Sequence, residues 1–308
     1  MNLLVVGASG FVGRALCTYM SHQGLNPYGL LRKKQEDLNV KKQFIVQDFL
    51  NHSDWGPILK GMDGVIHTAG LAHANGRTDK EYYDINTELT KKLALECIKA
   101  GVKRFVYISS VSVYGISSSQ DSVTLSTPLH PITPYGHSKL LAEIFLKELQ
   151  EKGILEVVII RPPLIYGADA PGNINFLLKA IKYNLPMPFA RVKNLRSMMY
   201  VLNLCDCLIN CAINPKASGN TFLVSDAEDI SITTLIQRLA KGLKKSPKLF
   251  PFPFKAIQYL LKIAGKEETL EKMTGSLQLD ISHIQSTLGW KPIFSVEEVL
   301  EVTARSFQ

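Results

Sequence analysis

Residues 3–13, "LLVVGASGFVG", run from an apolar stretch straight into three glycines, Gly7, Gly10 and Gly13, spaced as GxxGxxG. Four consecutive apolar residues suit a strand buried on both faces of a parallel sheet. Glycines at a strand-to-helix junction meet three demands: a tight turn, close backbone approach to a pyrophosphate, and close packing of helix on sheet. The free N–H groups and dipole at the helix mouth then face the anion. Ser9 lacks the second glycine of a GxSxG nucleophile elbow, which removes that reading. The stretch therefore predicts the opening of a dinucleotide-binding βαβ unit.

The same rhythm continues outward. "NPYGLL", "QFIVQD", "DGVIHTAG", "KRFVYISS" and "EVVIIRP" are short runs rich in Val, Ile and Phe, and amphipathic segments such as 11–23, 81–100 and 135–152 separate them. Strand and helix in alternation predict a Rossmann-type α/β fold with a doubly wound parallel sheet. After about residue 170 the rhythm weakens, prolines cluster, and helices at 231–244 and 254–264 dominate. This predicts residues 1–168 as the dinucleotide-binding domain and 169–308 as a smaller, mostly helical substrate region. No Gly/Ser linker separates the two, and strands of the second part can return to the main sheet.

Bulk composition sets limits. The 308 residues are 46% hydrophobic and 20% charged, an ordinary globular balance. A formal net charge of +8 favours anionic partners. The cations are scattered and nothing resembles a zinc finger, an RRM or a helix-turn-helix, so nucleic acid is not expected as a partner. Cys17, Cys97, Cys205, Cys207 and Cys211 lack metal-ligand spacing and read as buried small residues, with no metal expected. The N-terminus has no basic leader pattern, and no apolar run approaches the roughly 20 residues that span a bilayer, so a cytoplasmic location is expected.

Further on, "PYGHSKL" (134–140) places Tyr135 and Lys139 at i and i+4 on one predicted helix, facing the same way. A nearby lysine charge favours the tyrosinate, so the pair reads as an acid/base and its tuner. "YISSVSVYG" (107–115) sits at a strand end, where ligands bind in doubly wound sheets, and offers Ser109, Ser110 and Ser112 to a substrate oxygen. The second strand ends in Arg32, Lys33 and Lys34 with no acid before Glu36. An acid there would bond the ribose hydroxyls of NAD, whereas an arginine accommodates the extra phosphate of NADP. Arg32 tilts the expectation toward NADP.

Together with "IIRPPLIYG" and "LDISHIQSTLGWKP", these motifs occur in the order and spacing of the extended short-chain dehydrogenase/reductases, and nearly the whole chain resembles their nucleotide-sugar epimerase/dehydratase branch. The resemblance implies Tyr135 as catalytic base or acid, Lys139 as its tuner and a ligand of the nicotinamide ribose, and Ser110 as the hydroxyl that binds the sugar oxygen. It implies Gly7, Gly10, Phe11, Val12 and Gly13 at the pyrophosphate, Asp48 beside the adenine, and Ala69, Gly70 and Pro162 near the nicotinamide. Asn86 matches a structural asparagine. Asn173 and Arg196 match contacts to the substrate's diphosphate, with Arg191 as a second candidate, and Ser112 joins Ser110 on the substrate side. Two departures stand out. Arg32 replaces the aspartate of many epimerases, and Val111 and Ser112 replace the acidic pair of the dehydratases, which argues against 4,6-dehydration.

The reading is a nucleotide-sugar 4-epimerase acting on a UDP-hexose or UDP-N-acetylhexosamine with NAD or NADP. Its alternative is an NAD(P)H-dependent 4-keto-6-deoxy nucleotide-sugar reductase. A hydroxysteroid-type dehydrogenase and a dinucleotide-binding sensor without turnover stand further off. "KKSPKLFPFPFKAIQYLLKIAGK" (244–266) mixes lysines with large apolar residues, as an interfacial helix would. It suggests weak contact with a membrane surface, peripheral at the inner face, and a sugar carried on a polyprenyl diphosphate. The family further implies a homodimer.

Overall fold

Leu3 to Val6 form an interior strand of a seven-stranded sheet, third from one edge, and the alternation of their side chains divides the core in two. The computed structural model describes residues 1–72, 76–168, 170, 173–251 and 274–307. Along them run β1 (Leu3–Val6), α1 (Phe11–His22), β2 (Tyr28–Leu31), β3 (Lys42–Ile45), α2 (Gly56–Leu59), β4 (Gly64–His67), α3 (Asp79–Tyr82), α4 (Leu89–Lys99), β5 (Arg104–Ile108) and α5 (Pro134–Glu151). There follow β6 (Glu156–Arg161), β7 (Leu164–Tyr166), α6 (Asn173–Lys182), β8 (Met198–Tyr200), α7 (Val201–Ile213), β9 (Thr221–Leu223) and α8 (Ile232–Gly242), then the helices Ser282–Leu288 and Val296–Arg305.

Strand order is β3-β2-β1-β4-β5-β6-β9, with every neighbouring pair parallel. This is the doubly wound sheet that the sequence predicts. Leu3, Val5, Ile66, Val106 and Val158 pack on one face with α1 and α7, through Leu16, Met20, Leu204 and Leu208. Leu4, Val6, Val65, Phe105 and Val157 pack on the other with α4 and α5, through Leu93, Cys97, Ala142 and Leu146. Apolar residues on both faces are why these strands read as unbroken runs rather than alternating ones.

The chain leaves β1 toward β2 and β3, then returns to lay β4 on the other side of β1. Connections on opposite sides of the sheet open a crevice at the carboxyl ends of these two strands. The turns after β1, β4, β5 and β6 border that crevice.

The structure adds three features to the expected outline. The helix expected over 81–100 is interrupted, because Tyr83–Glu88 widen into a π-helical turn between α3 and α4. Such turns recur at functional sites, and this one carries Asn86. Beyond residue 163, β7 and β8 form a separate two-stranded parallel sheet, and β9 joins the main sheet beside β6. A buried polar node ties these parts together: Asp226, just after β9, accepts from Tyr166 Oη at 2.8 Å, Asn203 Nδ2 at 2.8 Å and the Tyr200 N–H at 2.9 Å. The helix expected at 254–264, and residues 252–266 of the lysine-rich apolar stretch, lie outside the described residues. All five cysteines are buried and unpaired.

Candidate active site

The glycine turn is built for a ligand backbone. Gly7 has φ +83°, which L side chains rarely adopt, and a Cβ there would lie 2.7 Å from the Ala69 backbone nitrogen. A Cβ on Gly13 would strike the Gly7 carbonyl oxygen and come within 2.8 Å of Thr68 Oγ1. No side chain caps α1 at Gly10, and its first turn contains no acid. By contrast Thr133 caps α5 and Ser231 caps α8. The N-terminus of α1, with half-buried Phe11 and Val12 beside it, thus keeps its N–H groups and positive dipole end for an external anion. The residues present fit the pyrophosphate of a dinucleotide.

Across the crevice, the turn after β4 is equally tight. A Cβ on Gly70 would sit 3.0 Å from Asn86 Oδ1 and 3.2 Å from Lys139 Nζ. Asn86 is fully buried; its side chain accepts from Leu71 N at 2.9 Å and donates to Leu71 O and to Ser138 Oγ, both at 3.0 Å. It pins the β4 turn to α5, and the π-helical turn gives it that reach. Sequence reading singled out the asparagine only by resemblance.

Helix α5 brings the acid/base pair to the end of β5. Its first turn lies so close to the serine turn that a Cβ on Gly136 would be 2.6 Å from Ser112 O, which accounts for the glycine in "PYG". Ser110 Oγ donates to Ser112 Oγ and accepts from the Ser112 N–H, each at 3.1 Å, and the Tyr135 phenol hydrogen-bonds the Ser110 side chain. Tyr82 meets Tyr135 edge-on, ring centroids 6.3 Å apart. Ser109 faces inward instead: it is 2% exposed, and its hydroxyl has no partner among the described residues.

The electrostatics differ from the sequence expectation in one respect. Burial raises Tyr135 above the usual phenol value, and its hydrogen bond with the Ser110 side chain opposes that shift. The Lys139 ammonium donates to Ile108 O at 2.8 Å and lies 4.8 Å from the Tyr107 ring centroid. Burial pushes Lys139 down to about 8, opposed by the Glu143 carboxylate. Lysine and tyrosine share a helix face, and the ammonium donates one of its hydrogens to a carbonyl at the strand end.

The remaining candidates spread along the crevice and beyond it. Pro162 follows β6, and its carbonyl accepts the Val111 N–H at 3.1 Å. Asp48 is exposed after β3 and accepts from Leu50 N, Asn51 N and Asn51 Nδ2, so its carboxylate shapes its own turn and stays below the usual carboxylate range. Arg32 is exposed at the end of β2, and no carboxylate pairs with it among the described residues. Arg196 donates to Ser117 O at 3.2 Å and Gly275 O at 2.9 Å, which ties the substrate region to the loop after β5. Asn173 opens α6; its side chain lies outside the description. Arg191 lines a groove of about 900 Å³ with Asn194, Ser231 and Arg238, and none of Ser110, Tyr135 or Lys139 borders it.

Two buried groups escaped sequence reading. Glu143 and Arg161 form an ion pair behind the Tyr–Lys helix face. His67 ends β4, with Nε2 3.0 Å from Thr90 Oγ1. The Thr90 hydroxyl donates to Asn86 O at 2.8 Å, so Nε2 carries the ring proton and Nδ1 is left bare, with no partner among the described residues. Burial, aided by the Lys139 charge, pushes His67 down to about 3. A histidine inside an apolar run has no sequence signal that separates it from a surface one.

Known proteins place these features in a family. The model of the NAD dependent epimerase/dehydratase family matches residues 3–224. The chain is 34% identical to the UDP-glucose 4-epimerase of Vibrio cholerae, over 99% of this chain and 95% of that protein. It is 27% identical to the N-acetyl-alpha-D-glucosaminyl-diphospho-ditrans,octacis-undecaprenol 4-epimerase of Escherichia coli O157:H7, over 98% and 94%. The crystal structure of UDP-glucuronic acid 4-epimerase from Bacillus cereus in complex with NAD superimposes with a TM-score of 0.81 at 23% identity, covering 100% of this chain and 96% of that one. With its glycine cradle, uncapped α1 and Ser–Tyr–Lys cluster, the chain belongs to the NAD-dependent epimerase/dehydratase family, enzymes of the extended short-chain dehydrogenase/reductase type.

Proposed function

We propose that the protein is a nucleotide-sugar 4-epimerase acting on a UDP-hexose or UDP-N-acetylhexosamine. The observation that carries the reading is the convergence of Ser110 from the end of β5 with Tyr135 and Lys139 from α5, beside the turn at Gly70. When bound, the nicotinamide ring supplies the hydride chemistry at the sugar's C4. Tyr135 Oη takes the proton of the C4 hydroxyl and returns it to the same oxygen after the sugar has turned over. Ser110 Oγ, bonded to the same phenol, holds that oxygen. Lys139, charged below about pH 8, holds the ribose hydroxyls and favours the tyrosinate. Gly7, Gly10 and Gly13 admit the pyrophosphate, and Asp48, Ala69 and Pro162 border the rest of the dinucleotide. Arg196 and Asn173 serve the substrate diphosphate, a role apt for a planar guanidinium.

A second reading has its own observation. Arg32 stands exposed at the end of β2 where an NAD-preferring site would have an acid. It supports NADP as the cofactor and, with it, a 4-keto-6-deoxy sugar reductase that uses the same residues once. Exposed Leu95, Leu141 and Ile144 on α4 and α5 support a homodimer through these helices. The undecaprenol-linked substrate in the name of the Escherichia coli relative supports a polyprenyl-diphosphate sugar as the finer alternative to a free sugar nucleotide.

The test incubates the purified protein with UDP-glucose, UDP-N-acetylglucosamine and their C4 epimers, with each dinucleotide in catalytic and then excess amount. Interconversion without net cofactor change is the expected result. Consumption of NADPH with a 4-keto-6-deoxy sugar nucleotide, and no interconversion, would put the reductase in its place. No turnover with either would favour a sensor.

A further inference from the structure

The net charge of +8 has a narrow origin. Residues 170–205 and 230–266 contain thirteen of the 35 Lys and Arg and none of the 27 Asp and Glu, so the rest of the chain is net acidic. The described parts of these two stretches lie side by side. Met187 N donates to Lys248 O at 2.9 Å, Phe250 N donates to Met187 O at 3.1 Å, and Lys245 Nζ donates to Lys182 O.

Some of this charge is used internally. Arg238 pairs with Glu228, and Lys241 with Glu297 and Glu301. Lys179, Lys182, Lys244, Lys245 and Lys248 meet no carboxylate among the described residues, and all five are exposed. Large apolar side chains stand open among them: Phe176 is 62% exposed, Tyr183 69% and Leu185 49%. Phe176 and Lys179 on α6, and Tyr183 in the turn that continues it, are at i, i+3 and i+7 on one side, while Ile174, Leu177, Leu178 and Ile181 fill the core on the other. A helix whose solvent face carries aromatic rings between lysines is unlike an ordinary surface helix.

We propose that this face of α6, with the adjoining lysines, docks the protein on an anionic lipid surface. Phe176, Tyr183 and Leu185 enter the headgroup layer, and the lysines meet the lipid phosphates. The chemistry favours lipid over other occupants. A second copy using the same face would set lysine against lysine with no carboxylate to offset them. Single-stranded nucleic acid is held in grooves by stacked aromatics and arginines, whereas this is an outward helix face whose cations, without a carboxylate partner among the described residues, are lysines. Because α6 starts at Asn173, docking would hold the substrate region against the membrane. The inference stands whether the enzyme epimerises or reduces its sugar.

The test sediments the whole protein with vesicles of phosphatidylcholine alone and of phosphatidylcholine mixed with phosphatidylglycerol. Binding is expected only to the anionic vesicles and should weaken with salt. The variant Lys179→Gln/Lys182→Gln/Lys245→Gln should bind at least about tenfold more weakly. Phe176→Ser/Tyr183→Ser should also lose binding, with unchanged melting temperature in both cases. Lys179→Glu alone repeats the test at one exposed position. The proposal is overturned by absence of binding to anionic vesicles, by variants that bind as well as the parent, by preferential binding to polyuridylate, or by a dimer that these substitutions dissociate. Sugar turnover is assayed separately, so failure of the docking face and failure of the epimerase reading are told apart.

Discussion

Glu143 and Arg161 face each other as a doubly hydrogen-bonded ion pair, Nε to Oε1 at 3.0 Å and Nη2 to Oε2 at 2.5 Å, with side chains 0% and 2% exposed. The pair joins α5, one turn after Lys139, to the end of β6 just before Pro162. Arg161 Nη1 also donates to Tyr114 Oη at 2.6 Å, and its guanidinium lies 5.0 Å from the centroid of that ring. The helix bearing the acid/base pair is thereby tied to two strand ends.

Removing one partner leaves the other charge buried and unpaired. Glu143→Gln or Arg161→Met should lower unfolding free energy by about 3–5 kcal/mol, and Glu143→Leu/Arg161→Met should recover much of that loss. Urea midpoints of the four proteins check it. Single substitutions as mild as the double one would show that the pair contributes little.

Tyr135→Phe keeps the ring and removes the proton carrier. Turnover should fall by about 10²- to 10⁴-fold while dinucleotide binding is spared. Ser110→Ala should lower turnover less, because it removes a hydrogen-bonding partner rather than the proton-transferring group. Parallel turnover and fluorescence-titration assays separate the two effects, and near-parental turnover by Tyr135→Phe would remove the tyrosine from the chemistry.

His67 should make the protein acid-sensitive. The folded state keeps the imidazole neutral down to about pH 3, whereas the unfolded chain protonates it near its ordinary value of 6.5. As pH falls through that window the unfolded state gains a proton that the native state refuses, so stability drops, by on the order of 3 kcal/mol between pH 6.5 and 4. In His67→Gln the slope of urea midpoint against pH should flatten. Equal slopes in both proteins would show that His67 does not set it.

Gly13→Ala should be far more damaging than Gly10→Ala. The first puts a methyl into the Gly7 carbonyl and 2.8 Å from Thr68 Oγ1; the second meets only Gly7 O, at 3.3 Å. A loss of about 1–3 kcal/mol is expected for Gly13→Ala without ligand, since the turn and α1 must separate. Thermal melts of the ligand-free proteins check it, and matching melting temperatures would count against the close packing.

The sequence by itself determined the alternation of strand and helix, the glycine turn at residues 7–13, the Tyr135–Lys139 face and the serine turn at the end of β5. Each is a local pattern, set by residues within a turn or two of one another, where periodicity and glycine geometry act directly. Tertiary structure decided the rest. The β7–β8 pair, the return of β9 to β6, the inward turn of Ser109, the Glu143–Arg161 tie and the bare nitrogen of His67 all depend on partners far along the chain, 18 residues away in the case of Glu143 and Arg161. So does the path of the Lys139 ammonium to Ile108 O. Short strands and buried charges take their state from what packs against them, and only the folded chain supplies those neighbours.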